Sequence, residues 1–373
     1  MKIALVHELL IMRGGAEKVL RILAEMFPKA PIYTLLYDEK KLGNWFSRER
    51  VRFSTLQKWA DLNPLPHRYN HHLYLRHFPQ VVEAWDFSGF DLVISSSSAF
   101  AHGIITNGTP KHLCYVHSPA RYLWDRTHDV LDRASEGMLG PLKRAHLSRT
   151  FHKLRTWDAE AADRPDRLLA ASKTVQRRIE LYWQRKSTVI YPPIDDCWLQ
   201  EHPHHQVPHS REYYFVASTL VPYKKIDLAI DACNRRNATL VIAGEGPDRK
   251  RLERMAGPTV EFIGYKNEEG LRNLYTNARA TIFPGDEDFG LVPLESLACG
   301  TPVIAYGSGG ALETLSEDTA EFFTERSAEA LTEAMGRFER KKWDAEPGMT
   351  RASGFSRSLF EQAINREIDT LMK

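Results

Sequence analysis

The sequence predicts an α/β protein of two Rossmann-like domains facing a central cleft. Three observations carry that prediction. Short β-branched runs alternate with helical patterns, the alternation breaks at Tyr191 into a Pro- and His-rich stretch, and beyond it the alternation starts again. The length of 373 residues agrees, since one hydrophobic core rarely serves so long a chain.

In the first half, strand KIALVH precedes the helical AEKVLRILAEMF, and DLVISSS, HLCYVHS and DRLLAAS read as strands before the helical KTVQRRIELYW. YPPIDDCWLQEHPHHQVPHSRE follows, polar and without periodicity, and reads as a linker. Strands YYFVAS, TLVIAGEG, VEFIGY, ATIFPG and TPVIAYG, with the helical LAIDACNR among them, build the second set. The expected domains are residues 1–198, residues 199–351, and a helical tail, 352–373, that packs back on the first. Open parallel sheets bind ligands at the carboxyl ends of their strands, so the cleft is the expected site.

Composition removes several classes of function. With 50 basic and 48 acidic side chains the net charge is only +2, too balanced for a dedicated nucleic-acid binder. The 43% hydrophobic and 26% charged content is globular, not disordered. The four cysteines form no CxxC and signal neither zinc nor a redox pair, which suits a reducing cytosol. The opening apolar run stops at Val6, too short for a signal peptide, and no run approaches a membrane span.

The densest chemistry lies in DEDFGLVPLESLACG, residues 286 to 300. A strand ending at Pro284 meets an acidic loop, then a helix closed by Gly300. Gly290 and Leu291 present backbone amides near the helix start, where an anion is favoured. Glu287 and Glu295 stand on either side, and carboxylates accept strongly from sugar hydroxyls. Phosphate at the amides and hydroxyls at the acids describe a sugar nucleotide; the plainer alternative is a solvated loop and a helix-start acid. In STLVPYKKID, Lys224 and Lys225 follow a strand end beside Ser218 and Thr219, where a Lys can balance a leaving diphosphate; a KK pair at a loop tip is otherwise merely solvated. Gly14, Gly15 and Gly246 sit in strand-to-helix loops that admit an anion or serve only as turns. His117 directly follows a strand, with Arg121 four residues on; a lone His is otherwise ordinary structure. No strand carries GxGxxG with an acid about 20 residues on, which disfavours a dehydrogenase.

Taken together these segments resemble retaining GT-B glycosyltransferases of family 4 over nearly the whole chain. The resemblance rests on the pair Glu287 and Glu295 around FGL, on GTPVIA with GSGGALE, on STLVPYKKID and on GGAEKV. YVHSPARYLWD and DLVISSSSAF look like the branch of O-antigen mannosyltransferases, which use GDP-mannose on lipid-linked acceptors. The resemblance implies that Glu287 meets donor-sugar hydroxyls, Glu295 holds the ribose, Lys224 and Gly15 meet the diphosphate, and His117 contacts the sugar. Phe289, Gly290 and Leu291 fall in the donor site on the same grounds. Where that family usually has Arg, this chain has Thr219, which puts more of the diphosphate on Lys224.

The implied reaction is metal-independent front-side displacement of a hexose onto a polyprenyl-diphosphate-linked saccharide, with no cofactor and no nucleic-acid partner. The expected location is cytoplasmic, peripheral on the inner face of the membrane. PLKRAHLSRTFHKLR supports this with Lys143, Arg144, Arg149, Lys153 and Arg155 beside an apolar stripe of Leu147, Phe151 and Leu154, suited to an anionic membrane surface. The alternatives are a UDP-sugar-dependent transferase, a sugar-nucleotide 2-epimerase and a non-catalytic nucleotide-sugar binding protein.

Overall fold

The computed structural model describes residues 1–62, 74–135, 137, 139–200 and 212–373. It divides into two compact units, Met1–Tyr191 with Glu361–Lys373, and Pro192–Phe360.

In the first unit β1 (Ile3–His7), β2 (Ile32–Thr34), β3 (Val51–Phe53), β4 (Leu92–Ser97), β5 (Lys111–Val116), β6 (Arg167–Ala170) and β7 (Thr188–Val189) form one sheet. Its order is β3-β2-β1-β4-β5-β6-β7, with all pairs parallel. Leu9–Leu10 and Leu36–Tyr37 form a separate pair. Strands covered on both faces must be apolar throughout, and Ala4, Leu5 and Val6 are fully buried. Helix α1 (Gly15–Met26) buries Val19, Leu20, Ile22 and Leu23 and ends just before Phe27, whose following Pro28 disfavours helical backbone. Helix α2 (Gly140–Ala161) buries Phe151 and Leu154 in a core with Val6, Val93 and Phe100. Helix α3 (Lys173–Arg178) is capped by Ser172, whose side chain accepts from the Val175 amide.

The second unit begins inside the segment expected to be a linker. Helix α4 (Asp196–Leu199) carries Trp198, only 2% exposed, with its ring 5.8 Å from that of Tyr275. That burial moves the boundary from residue 198 to Tyr191. The rest of the expected linker, 201–211, lies outside the described residues. Here β8 (Tyr213–Ala217), β9 (Leu240–Ala243), β10 (Val260–Gly264), β11 (Ala278–Phe283), β12 (Val303–Tyr306) and β13 (Ala320–Phe323) run in the order β10-β9-β8-β11-β12-β13, all parallel. Helix α5 (Ile226–Arg236) packs Ile226 and Ile230 on Ile242, Ile282 and Ile304. Helix α6 (Leu291–Ala298) follows β11, and α7 (Arg357–Leu371) ends the chain.

The second unit runs past residue 351 to Phe360, because Phe355 packs on Phe289 and its carbonyl accepts the Ile194 amide. From Glu361 the chain belongs to the first unit, where Arg167 Nε lies 2.7 Å from Glu367 Oε2. In its own chain order the first sheet reads 3-2-1-4-5-6-7 and the second 3-2-1-4-5-6, so each has a point where the strand order reverses, the usual ligand crevice of such sheets. In the first unit it lies between β1 and β4, in the second between β8 and β11.

Candidate functional site

In the second unit the loops after β8 and β11 leave adjacent strands at that reversal. They bring Lys224 and Glu287 together, with Nζ donating to Oε1. The pair explains the acidic loop: Glu287 is balanced by Lys224, and Asp286 by Arg326 Nη2 at 3.1 Å and Ser308 Oγ at 3.3 Å. Lys225, at φ 55°, is the N-cap of α5. Thr219 is exposed, and Ser218 Oγ donates to its carbonyl at 3.1 Å.

Two glycines hold these loops in place by close approach. A Cβ on Gly246 would lie 2.2 Å from the Leu220 carbonyl oxygen, and Leu220 N donates to Glu245 O at 2.9 Å. Gly246 therefore lies backbone to backbone against the Ser218–Leu220 turn. A Cβ on Gly310 would lie 2.2 Å from Phe289 Cα, and its amide donates to Glu287 O at 2.9 Å. The GSGG stretch thus clamps the acidic loop from behind.

Gly290, at φ 97°, caps the start of α6, and the helix closes with Gly300 N donating to Leu297 O and Thr301 N to Ser296 O. The first-turn amides, Leu291 among them, have no acceptor within the helix. Glu295, 6% exposed, accepts from Tyr275 OH at 3.2 Å. Phe289, expected at the substrate, is instead 6% exposed with its ring 5.6 Å from Phe355. Its side chain is core, because the FGL turn must bury an aromatic to seat the loop.

The first unit holds His117, Gly14, Gly15 and Arg121. His117 follows β5, and its Nε2 lies 2.8 Å from Ser96 Oγ at the end of β4. Ser96 also meets His7, at the end of β1: His7 Nδ1 is 2.9 Å from the Ser96 carbonyl and 3.1 Å from Oγ. His7 Nε2 lies 3.9 Å from Glu17 Oε1, and Glu17 Oε2 accepts the Gly14 amide at 3.0 Å. The Gly14 amide expected at an anion is therefore committed to Glu17, which leaves Gly15, exposed at the helix start. Burial lowers the His7 pKa, but the Glu17 hydrogen bond and the charge of Glu8 more than offset it, and the net shift is upward. Desolvation, then the neighbouring His7, pushes His117 down to about 3. Arg121 Nε is 3.2 Å from Asp125, which Arg178 shares at 3.2 Å.

His7, Ser96 and Glu17 were not singled out by the sequence. The available signal was the serine run closing an apolar strand: Ser95, Ser96 and Ser97 are almost fully buried, and buried hydroxyls need partners.

Residues 200–350 match the family described as Glycosyl transferases group 1. The chain is 38% identical over 130 residues to a GDP-mannose-dependent alpha-(1-6)-phosphatidylinositol dimannoside mannosyltransferase of Mycobacterium tuberculosis, covering 32% of this chain and 34% of the relative. It is 26% identical over 213 residues to O-antigen chain mannosyltransferase C of Escherichia coli, covering 53% and 55%. The chain thus spans about a third of the length of the first of these relatives and about half of the second. Among solved structures it is similar to Anabaena HepE in complex with UDP, with TM-score 0.72, 18% identity and coverage of 99% and 100%. Sucrose-phosphate synthase from Thermosynechococcus elongatus gives TM-score 0.74 at 19% identity, covering 100% and 99%. The fold class is the two-domain α/β class of GT-B glycosyltransferases.

Proposed function

We propose that the chain is a retaining glycosyltransferase that moves a hexose, with mannose from GDP-mannose the first choice, onto a lipid-linked saccharide. The observation that carries this reading is the Lys224–Glu287 pair at the strand reversal of the unit that matches Glycosyl transferases group 1. Lys224 and Lys225 offer cations to the donor diphosphate, and the start of α6 offers amides. Glu287 takes hydroxyls of the sugar, and Glu295 those of the ribose. The acceptor oxygen bonds to the anomeric carbon on the face the diphosphate leaves. The bond from that carbon to phosphate breaks, and a leaving phosphate oxygen takes the acceptor's proton. The protein supplies position and charge, and no metal is required.

The mannosyltransferase names of the curated relatives make mannose the sugar to test first. The lipid-linked acceptor would be reached peripherally, on the cytoplasmic face, and no helix among the described residues is long and apolar enough to cross a membrane. The test offers the protein labelled GDP-mannose, then other GDP- and UDP-sugars, with extracted lipid-linked saccharides. Transfer with the donor's anomeric configuration retained supports the reading. Nucleotide-sugar binding without turnover would leave a binding protein, and a changed sugar without transfer an epimerase.

A further inference from the structure

Three consecutive serines close β4, and each meets a different histidine. Ser95 Oγ lies 2.7 Å from His112 Nε2, Ser96 Oγ 2.8 Å from His117 Nε2, and Ser97 Oγ 3.3 Å from His102 Nδ1. His112 and His102 are fully buried, whereas His117 is partly exposed at the strand ends. The middle contact is the one whose histidine keeps some exposure.

The hydrogen on each atom of this chain follows from what its partner can accept. The Ser96 carbonyl only accepts, so His7 Nδ1, 2.9 Å away, carries a hydrogen in either charge state. That hydrogen also points at Ser96 Oγ, 3.1 Å away, which therefore has nothing to donate to there. Among its hydrogen bonds, His117 Nε2 is the acceptor left for the Ser96 hydroxyl hydrogen. Nε2 of His117 must then hold a lone pair, and the ring's one hydrogen sits on Nδ1. Beyond Ser96, His7 Nε2 lies 3.9 Å from Glu17 Oε1, so the carboxylate of this network favours a proton on His7 and not on His117.

We propose that Ser96 and His7 are positioning residues, which hold His117 as the neutral tautomer with its hydrogen on Nδ1 and so present an uncharged N–H donor to a substrate hydroxyl. This rests on the reading of His117 as a sugar contact. A neutral donor suits that task, because an imidazolium beside a developing oxocarbenium centre would raise its energy. Its N–H is also far too weakly acidic to protonate the leaving phosphate in place of the acceptor's proton.

The full chain labelled with 15N-histidine tests it without any substrate. Two-bond nitrogen–proton spectra distinguish the tautomers, and His117→Gln assigns the ring. The expected wild-type pattern is a protonated Nδ1 and a bare Nε2 on His117. Ser96→Ala should mix the tautomers and lower kcat at least about ten-fold, as a misplaced tautomer does in other enzymes, with KM for the donor nearly unchanged. Ser96→Thr, which keeps the hydroxyl, should restore both. A wild-type Nε2–H, or His117 signals unmoved in Ser96→Ala, overturns the proposal. The expected spectra without glycosyl transfer would uphold the tautomer and sink the transferase reading alone.

Discussion

Lys224 and Glu287, 63 positions apart, form an ion pair with side chains 22% and 17% exposed. Two groups proposed for opposite ends of one reaction, diphosphate and sugar, thus neutralise each other before any donor arrives. Donor binding has to share the ammonium between carboxylate and phosphate. Lys224→Ala should therefore cost about 2–4 kcal/mol of transition-state stabilisation, the scale of one preorganised electrostatic donor. It also leaves Glu287 unpaired, so Lys224→Ala with Glu287→Ala should lose less than the two single changes added together. Single-turnover rates for the four proteins decide this, and strict additivity would mean the pair is not coupled. Thr219→Arg should bind the diphosphate at least as well as the parent, and activity should survive EDTA.

The two acids of the loop and helix should separate binding from chemistry. Glu287 lies in the loop beside Lys224, whereas Glu295 is nearly buried against Tyr275. Glu287→Ala should depress transfer at least about a hundred-fold yet leave GDP binding close to the parent's, and Glu295→Ala should weaken GDP binding itself. Calorimetric titration of both variants measures this. Equal losses of nucleotide affinity would remove the division of roles.

How much of this was readable before the fold is uneven, for physical reasons. The DEDFGL and PYKK stretches are local, so one strand end and the turn after it carry their meaning. The outer strands Ile32–Thr34 and Val51–Phe53 have three residues each, too few for a period to register. Trp198 hid in a polar stretch because burying one indole leaves no pattern. The Ser96–His7 contact spans 89 positions, and nothing local to either residue announces the other. The stripe on α2 was legible, but whether it faces lipid or its own domain is decided by β4 and Phe100, which arrive from elsewhere in the chain.

Gly310→Ala tests the clamp on the acidic loop. The added Cβ would lie 2.2 Å from both Cα and O of Phe289, backbone atoms that cannot swing aside. The chain must shift, and overpacking of this kind costs about 1–3 kcal/mol. Thermal unfolding should show the loss, and the shift should displace Glu287 enough to depress transfer in the protein still folded. Parent-like melting with parent-like turnover would show that the clamp is slack.

Asp158 should make stability depend on pH. It is fully buried, with Oδ2 accepting Trp124 Nε1 at 2.8 Å and Trp183 Nε1 at 2.6 Å, and His102 Nε2 3.6 Å from Oδ1. Burial pushes its carboxyl up to about 7 against the opposing Trp183 and Trp124 bonds; an unfolded Asp titrates near ~3.9. The folded state thus binds the proton more tightly. That stabilisation is complete below about pH 4 and is lost as the pH rises through about 7. Asp158→Asn keeps an acceptor for the indoles and cannot ionise. Its melting temperature should gain on the parent's between about pH 5 and pH 8, and parallel curves would rule out Asp158 as the source.

The last prediction concerns the membrane surface, and the structure changes its geometry. Phe151 and Leu154, read from the sequence as a lipid-facing stripe, lie in the core of the first unit at 2% and 4% exposure. Arg155 is drawn inward too, its Nη1 donating to the Leu123 carbonyl at 3.0 Å. The opposite face is the one available. There Leu142, His146, Arg149 and Lys153 recur at helical spacing and are all exposed, with Leu142 at 71% and Leu139 at 56% just before it. Two exposed leucines at one end of a basic row suit an anionic bilayer, each nearby cation adding on the order of 1 kcal/mol. Sedimentation with anionic vesicles should show binding that falls with salt and weakens when Arg149 and Lys153 are changed to Ser. Leu142→Ser should weaken it without altering the salt dependence. Phe151→Ser should lower the melting temperature instead, since it opens the core. Equal binding to neutral and anionic vesicles, or binding unchanged in the Arg149 and Lys153 variant, would leave α2 as scaffold only.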